Sequence, residues 1–303
     1  MKANARLGFV RICTLTAIPS LELGTHAPLA AACSALAEPR EEGEYSIARR
    51  TLGALATLGP GLLLADALYG RASFMLDVSE QSGGACQSLI RVGSRIKGKQ
   101  LEVLADGSAL VAAHSERRAR AGEPSRIVVR EIRALVTPAQ GKPYVMRRWT
   151  TLLDPEKYPA AELLALYTQR WEQELFFREL KRHIGANSLL QADSENSAQG
   201  VFAAMLLAAY EVAQARVSAA QSVELPVLRL SIAKISRYLE QFAAVMQAGR
   251  GIISAQQAAK MERRWLKLMA KGSHHRRAQA AHLPARTAPA AIKLAGCPQA
   301  RQP

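Results

Sequence analysis

The segment Pro159–His183 constrains this chain more than any other. Its 25 residues contain no glycine and no internal proline, and Gly185 follows as a stop signal. Wound as one α-helix at about 100° per residue, with Tyr167 at zero, it puts Arg170 at about 300°, Glu174 at about 340° and Lys181 at about 320°. These four residues share one narrow stripe. Bulky apolar residues flank it, with Leu164, Trp171 and Leu175 on one side and Leu166, Phe177 and Leu180 on the other. A solvent-facing helix supported by i,i+4 salt bridges such as Arg170–Glu174 would give polar spacing too. The apolar flanks point to a helix packed into a core, with one carboxylate and two cations aimed at a cleft, and helix geometry alone leaves both readings open.

The rest of the chain reads as α/β. Residues 8–20 read as a strand, and Ile47–Leu55 as a helix after a charged loop. Gly59-Pro60 is a break, and Gly61–Ala65 is a short, wholly apolar run ended by Asp66, as expected of a buried strand. Cys86–Val92 reads as another. Between Lys97 and Leu152 short apolar or alternating runs recur, separated by Asp106-Gly107, Gly122–Pro124 and Gly141–Pro143. They predict an antiparallel β insertion. Val201–Ala220 and Val227–Gln247 are further helices, and His274–Pro303, with four prolines, is expected to lack order. Four blocks result: 1–96, the first part of the core; 97–158, a basic β insertion; 159–248, the rest of the core with the Glu174 helix; and 249–303, a basic, partly disordered tail.

Charge narrows the partner. Lys and Arg total 40 against 25 Asp and Glu, a net of +15. Residues 91–150 hold 13 basic and 5 acidic residues, and residues 250–303 hold 11 and 1. Such concentrations favour a polyanion, and the 5% of aromatic residues weakens any reading based on stacking single-stranded bases. Cys13, Cys33, Cys86 and Cys297 are scattered without metal-finger spacing, so a reducing cytoplasm is expected. Lys2 and Arg6 precede a mildly apolar run that Arg11 interrupts, so no secretory signal is expected, and the longest apolar stretches fall short of the ~20 residues of a membrane span.

Tyr167, two residues, Arg170, three residues, Glu174, six residues and Lys181 together resemble the Tyr-Arg-Glu-Lys signature of a large group of bacterial insertion-sequence transposases. The segment Gly61–Asp66, followed by Tyr69-Gly70 and Leu89–Val92, is similar to the region that carries the second catalytic Asp in that group. Thr151–Pro155 and Tyr158–Leu163 resemble its approach to the Glu-bearing helix, and the likeness covers roughly residues 20–245. The resemblance implies a ribonuclease-H-like mixed sheet with flanking helices, interrupted by the β insertion and followed by helices and a basic tail. It implies cleavage and strand transfer on double-stranded DNA with two Mg²⁺ ions, and a homodimer in the DNA complex. Asp66 and Glu174 would be catalytic and hold the metal, within roughly 8 Å of each other given the ~3.5–4 Å ion spacing of two-metal sites. Tyr167, Arg170 and Lys181 would bind DNA.

The chain departs from the pattern in two places. No aspartate precedes Asp66, so the group's first catalytic Asp has no counterpart, and Ala67 stands where Arg commonly follows the second. An N-terminally truncated, catalytically impaired copy is therefore expected. Glu22 and Asp77 are the candidate substitutes. A non-catalytic DNA-binding remnant that competes with an intact transposase is the alternative. A basic RNA-binding protein would account for the charge but not for the stripe.

Overall fold

The computed structural model describes residues 10–16, 26–35, 42–137, 141–183, 195–273 and 291–294. Two strands come first, β1 (Val10–Thr16) and β2 (Pro28–Ala35), followed by α1 (Glu44–Thr51), α2 (Leu55–Leu58), β3 (Gly61–Ala65), α3 (Ala72–Gln81) and β4 (Cys86–Val92). Next are β5 (Lys99–Val103), β6 (Ala109–His114), α4 (Glu116–Arg120), β7 (Arg126–Thr137), β8 (Tyr144–Thr150) and α5 (Ala160–Thr168). The helices α6 (Glu172–His183), α7 (Glu195–Gln221), α8 (Ile232–Ala248) and α9 (Ala255–Ser273) lead to β9 (Ala291–Leu294). These elements form two compact units. One comprises Met1–Glu42 and Trp171–Gln279, the other Gly43–Arg170 and Ala280–Pro303.

The second unit is built on a mixed sheet of order β3-β4-β8-β7-β6-β5, with β9 also paired to β7. β3 and β4 run parallel, in the register Leu64↔Leu89 and Ala65↔Ile90, and every other pairing is antiparallel. The expected antiparallel insertion thus joins the parallel pair edge to edge in one sheet. Alternation along the strands brings Leu62, Leu64, Leu89, Ile132 and Ala134 to a single face, where Ala160, Leu163, Leu164 and Tyr167 of α5 cover them. α3 packs against β4, β6 and β7. Its Asp77 is buried and bridges Arg49 at 2.6 Å and Arg118 at 2.5 Å, so this candidate substitute carboxylate is held in a structural ion-pair network. Among the described residues β3 has a strand neighbour on one side only.

In the first unit β1 and β2 form an antiparallel hairpin, and α7 packs against β2, α8 and α9. Val212, Ala219 and Ala220 of α7 meet Ile235 of α8 and Met269 of α9 in one apolar cluster, and Phe176 and Leu180 of α6 meet Met205 and Ala209 in another. By length and composition Gln199–Gln221 of α7 is apolar enough to cross a membrane, and part of that stretch packs in these clusters. His26, with φ 55°, enters next to α6, where its ring nitrogens lie 2.6 Å from Glu172 and 2.9 Å from Glu179.

One expectation is corrected. Pro159–His183 is not a single α-helix, because a 3₁₀ turn at Gln169–Trp171 separates α5 from α6. Three residues at about 120° rather than 100° add roughly 60° of rotation, so one helical wheel does not run through the segment. Gly185, Glu22 and most of the expected disordered tail lie outside the described residues.

Candidate active site

Asp66 directly follows β3, at the carboxyl end of a parallel strand, where open α/β sheets place ligand-binding residues. Its Oδ1 accepts the Leu68 N–H at 2.8 Å, and its carbonyl accepts from Tyr69. These bonds close a tight turn, as expected of an Asp after a strand. The turn then presses Gly70 against β4. A Cβ there would collide with the Arg91 carbonyl oxygen and lie 3.1 Å from the Val92 Cα.

The register shows what lies beside Asp66. Ala65 is level with Ile90, so Asp66 is level with Arg91, and Arg91 pairs across β8 with Arg148. The three side chains therefore form one row on the face that α5 covers. Tyr167 closes the row from above. Its hydroxyl donates to the Ala65 carbonyl at 2.8 Å, and the Arg148 guanidinium lies 3.8 Å from its ring centroid. Burial pushes the Tyr167 hydroxyl pKa up, Arg148 and Arg170 act against that, and Asp66 adds to it. Burial brings the Arg148 guanidinium down to about 10, with Tyr167 opposing and Arg91 acting in the same direction. One carboxylate, one tyrosine and three guanidinium groups therefore share an electrostatic neighbourhood in this unit.

Of the site residues expected from sequence, Asp66, Tyr167 and Arg170 gather here. Glu174 and Lys181 lie in the other unit, both exposed on α6, seven residues apart and so on one face of that helix. Sequence reasoning missed Arg91 and Arg148 as members of the row. The available signal was the strand alternation of Leu89–Val92 and Val145–Thr150, which puts Arg91 and Arg148 on the faces of their strands shared with Leu89 and Thr150.

The donor set bears on metal binding. Among the described residues no three His, Cys, Asp or Glu side chains form a group that could hold a metal ion. In the sheet unit, the surroundings of Asp66 are cationic. The donors of this unit alone do not fit a pair of divalent ions, which need several oxygen ligands.

A mixed sheet flanked by helices, with an acidic residue closing a parallel strand, is the architecture of ribonuclease-H-like enzymes that act on nucleic acids. Residues 23–210, more than half of the chain, match the family described as transposase DDE domain, and the chain belongs to that family. Its members are transposases that act on DNA and generally use divalent metal ions. No curated protein matches the chain.

Proposed function

We propose that this protein is a transposase of the Tyr-Arg-Glu-Lys group that binds duplex DNA and, as this chain stands, is impaired in metal-dependent strand cleavage and strand transfer. The row Asp66–Arg91–Arg148 beneath Tyr167 carries the reading, because it joins the family's expected acidic position to a set of phosphate-binding side chains. Transposition needs in-line displacement at phosphorus, first by water to free a 3′-OH and then by that hydroxyl on target DNA. Divalent ions, when bound, stabilise the attacking and leaving oxygens. Asp66 and Glu174 are the proposed carboxylates. Arg170 offers a guanidinium fork and Lys181 a point charge to backbone phosphates. The proposed setting is cytoplasmic, with transposon ends and target DNA as partners and a homodimer in the complex.

Impairment follows from ligand count. No aspartate lies in residues 1–65, so Asp66 and Glu174 would supply only two of the family's three carboxylates. Losing a metal-positioning group removes several kcal/mol of transition-state stabilisation, and each ~1.36 kcal/mol is tenfold in rate. The same absence favours the second reading, a non-catalytic DNA-binding remnant that competes with an intact transposase. Purified chain is expected to bind duplex DNA in a salt-sensitive manner and to give no measurable Mg²⁺-dependent nicking. Measurable nicking abolished by Glu174→Ala would overturn the impairment and make Glu22 the next residue to test. Failure to bind duplex DNA would overturn the function.

A further inference from the structure

Three arginines are buried in the sheet unit among the described residues. Arg118 is tied to Asp77, Glu80 and Glu123. Arg130 is tied to Asp106, to Ser108 at 2.8 Å and to the Tyr158 carbonyl at 2.7 Å. Arg148 is 6% exposed, yet among the described residues its Nε and Nη1 have no hydrogen-bond partner and no carboxylate bridges it. Its chain neighbour Arg147, facing the other side of the sheet, holds Glu131 and the carbonyls of Gly93 and Ile96. The fold can therefore satisfy an arginine at this end of β8 and does so one residue away. A buried guanidinium without a counter-charge is costly, and a stacked aromatic ring offsets only part of that cost. Arg91 and Arg170 add two more cations to the same neighbourhood.

We propose that Arg148, stacked on Tyr167 and flanked by Arg91 and Arg170, is the seat of one backbone phosphate of the bound DNA. The proposal rests on the DNA-binding reading above and adds to it a residue outside the Tyr-Arg-Glu-Lys signature. A phosphate fits the seat better than a carboxylate. Its tetrahedral oxygens accept from several guanidinium groups in different directions, whereas a planar carboxylate is filled by one fork. Exposed Arg91 supplies the rim through which the phosphate reaches the buried Arg148. Tyr167 acts as a positioning residue. Its hydroxyl bond to Ala65 fixes the ring on which Arg148 lies and ties the seat to the strand end that carries Asp66.

The test uses the full chain and Arg148→Met, which keeps an unbranched apolar stem and removes the charge. Thermal unfolding is followed in inorganic phosphate and in chloride at equal ionic strength, and duplex DNA affinity is followed against salt. Phosphate at tenfold its Kd should raise the wild-type Tm by about 3 °C and leave the variant unmoved. In chloride the variant should be at least as stable as wild type, because an uncompensated charge is gone. Its DNA salt slope should fall by about 0.9. A phosphate response and salt slope equal to wild type would overturn the seat while leaving the DNA-binding reading in place. An Arg148-dependent phosphate response without any duplex binding would do the reverse. If Arg148→Met does not fold, Arg91→Gln, at an exposed position, carries the test, and an unchanged phosphate response there overturns the seat.

Discussion

Gly70 shows how little tolerance the site has at single residues. The turn after Asp66 runs so close to β4 that a methyl group at Gly70 would meet backbone, which cannot swing aside as a side chain can. Gly70→Ala should therefore cost about 1–3 kcal/mol in denaturant unfolding, as overpacked sites do, and should displace Arg91. A stability within a few tenths of wild type would show that the turn moves freely. Arg170 and Lys181 make a second pair of residue-level predictions. Alanine at either should weaken DNA binding across sequences and lower the salt slope by about one unit, if each meets one phosphate. Lost thermal stability with unchanged binding would instead make them salt-bridge residues. Asp66, Tyr167 and Arg170 were legible in the sequence because their spacing is covalent and visible. Arg148 was not, since strand alternation puts it and Arg147 on opposite faces without saying which face lacks a carboxylate. Only the strand pairing decides which of the two finds a carboxylate.

At the level of elements, α6 carries acidic residues on two opposite faces. Glu172 and Glu179, seven residues apart, both bond His26, while Glu174 and Lys181 lie on the opposite side of the helix. Burial lowers the His26 pKa, but the hydrogen bonds that its ring donates to Glu172 and Glu179 outweigh it and the net shift is upward, with Arg216 acting against them. A folded pKa above the unfolded 6.5 means the clamp's contribution is fully present below that value and is lost as pH rises through the folded value. The Tm gap between wild type and His26→Asn should therefore narrow as pH rises past 6.5 and through the raised folded value. A gap independent of pH would mean the ring is not protonated in the clamp. Strand expectations held where apolar runs were bounded by turn residues, as in Gly61–Ala65 and Cys86–Val92. The alanine-rich β2 and the four-residue β9 carry too little strand-forming composition to be read. The 3₁₀ turn at Gln169–Trp171 was hidden because no glycine or proline marks it.

For the whole molecule, β3 matters beyond the site it supports. It is the most apolar strand of the sheet, with no charge or proline, and among the described residues it has one edge without a strand neighbour. Parallel pairs usually lie inside sheets, and edges are usually guarded by lysine, proline or a bulge. An unguarded edge is a template. A second copy adding its β5 edge to this one would present a β3 edge of its own, so such head-to-tail growth would be open-ended rather than closing into a fixed oligomer. The net charge of +15 opposes that growth at low salt, and added salt removes the repulsion. The shelf life of purified protein should thus be set by concentration and ionic strength more than by temperature. Leu63→Lys should slow the rise of light scattering at high salt several-fold, and an unchanged rate would clear this edge of blame. A duplex, by supplying the polyanion, would neutralise the same charges even at low salt, so bound DNA would remove the repulsion that keeps copies apart.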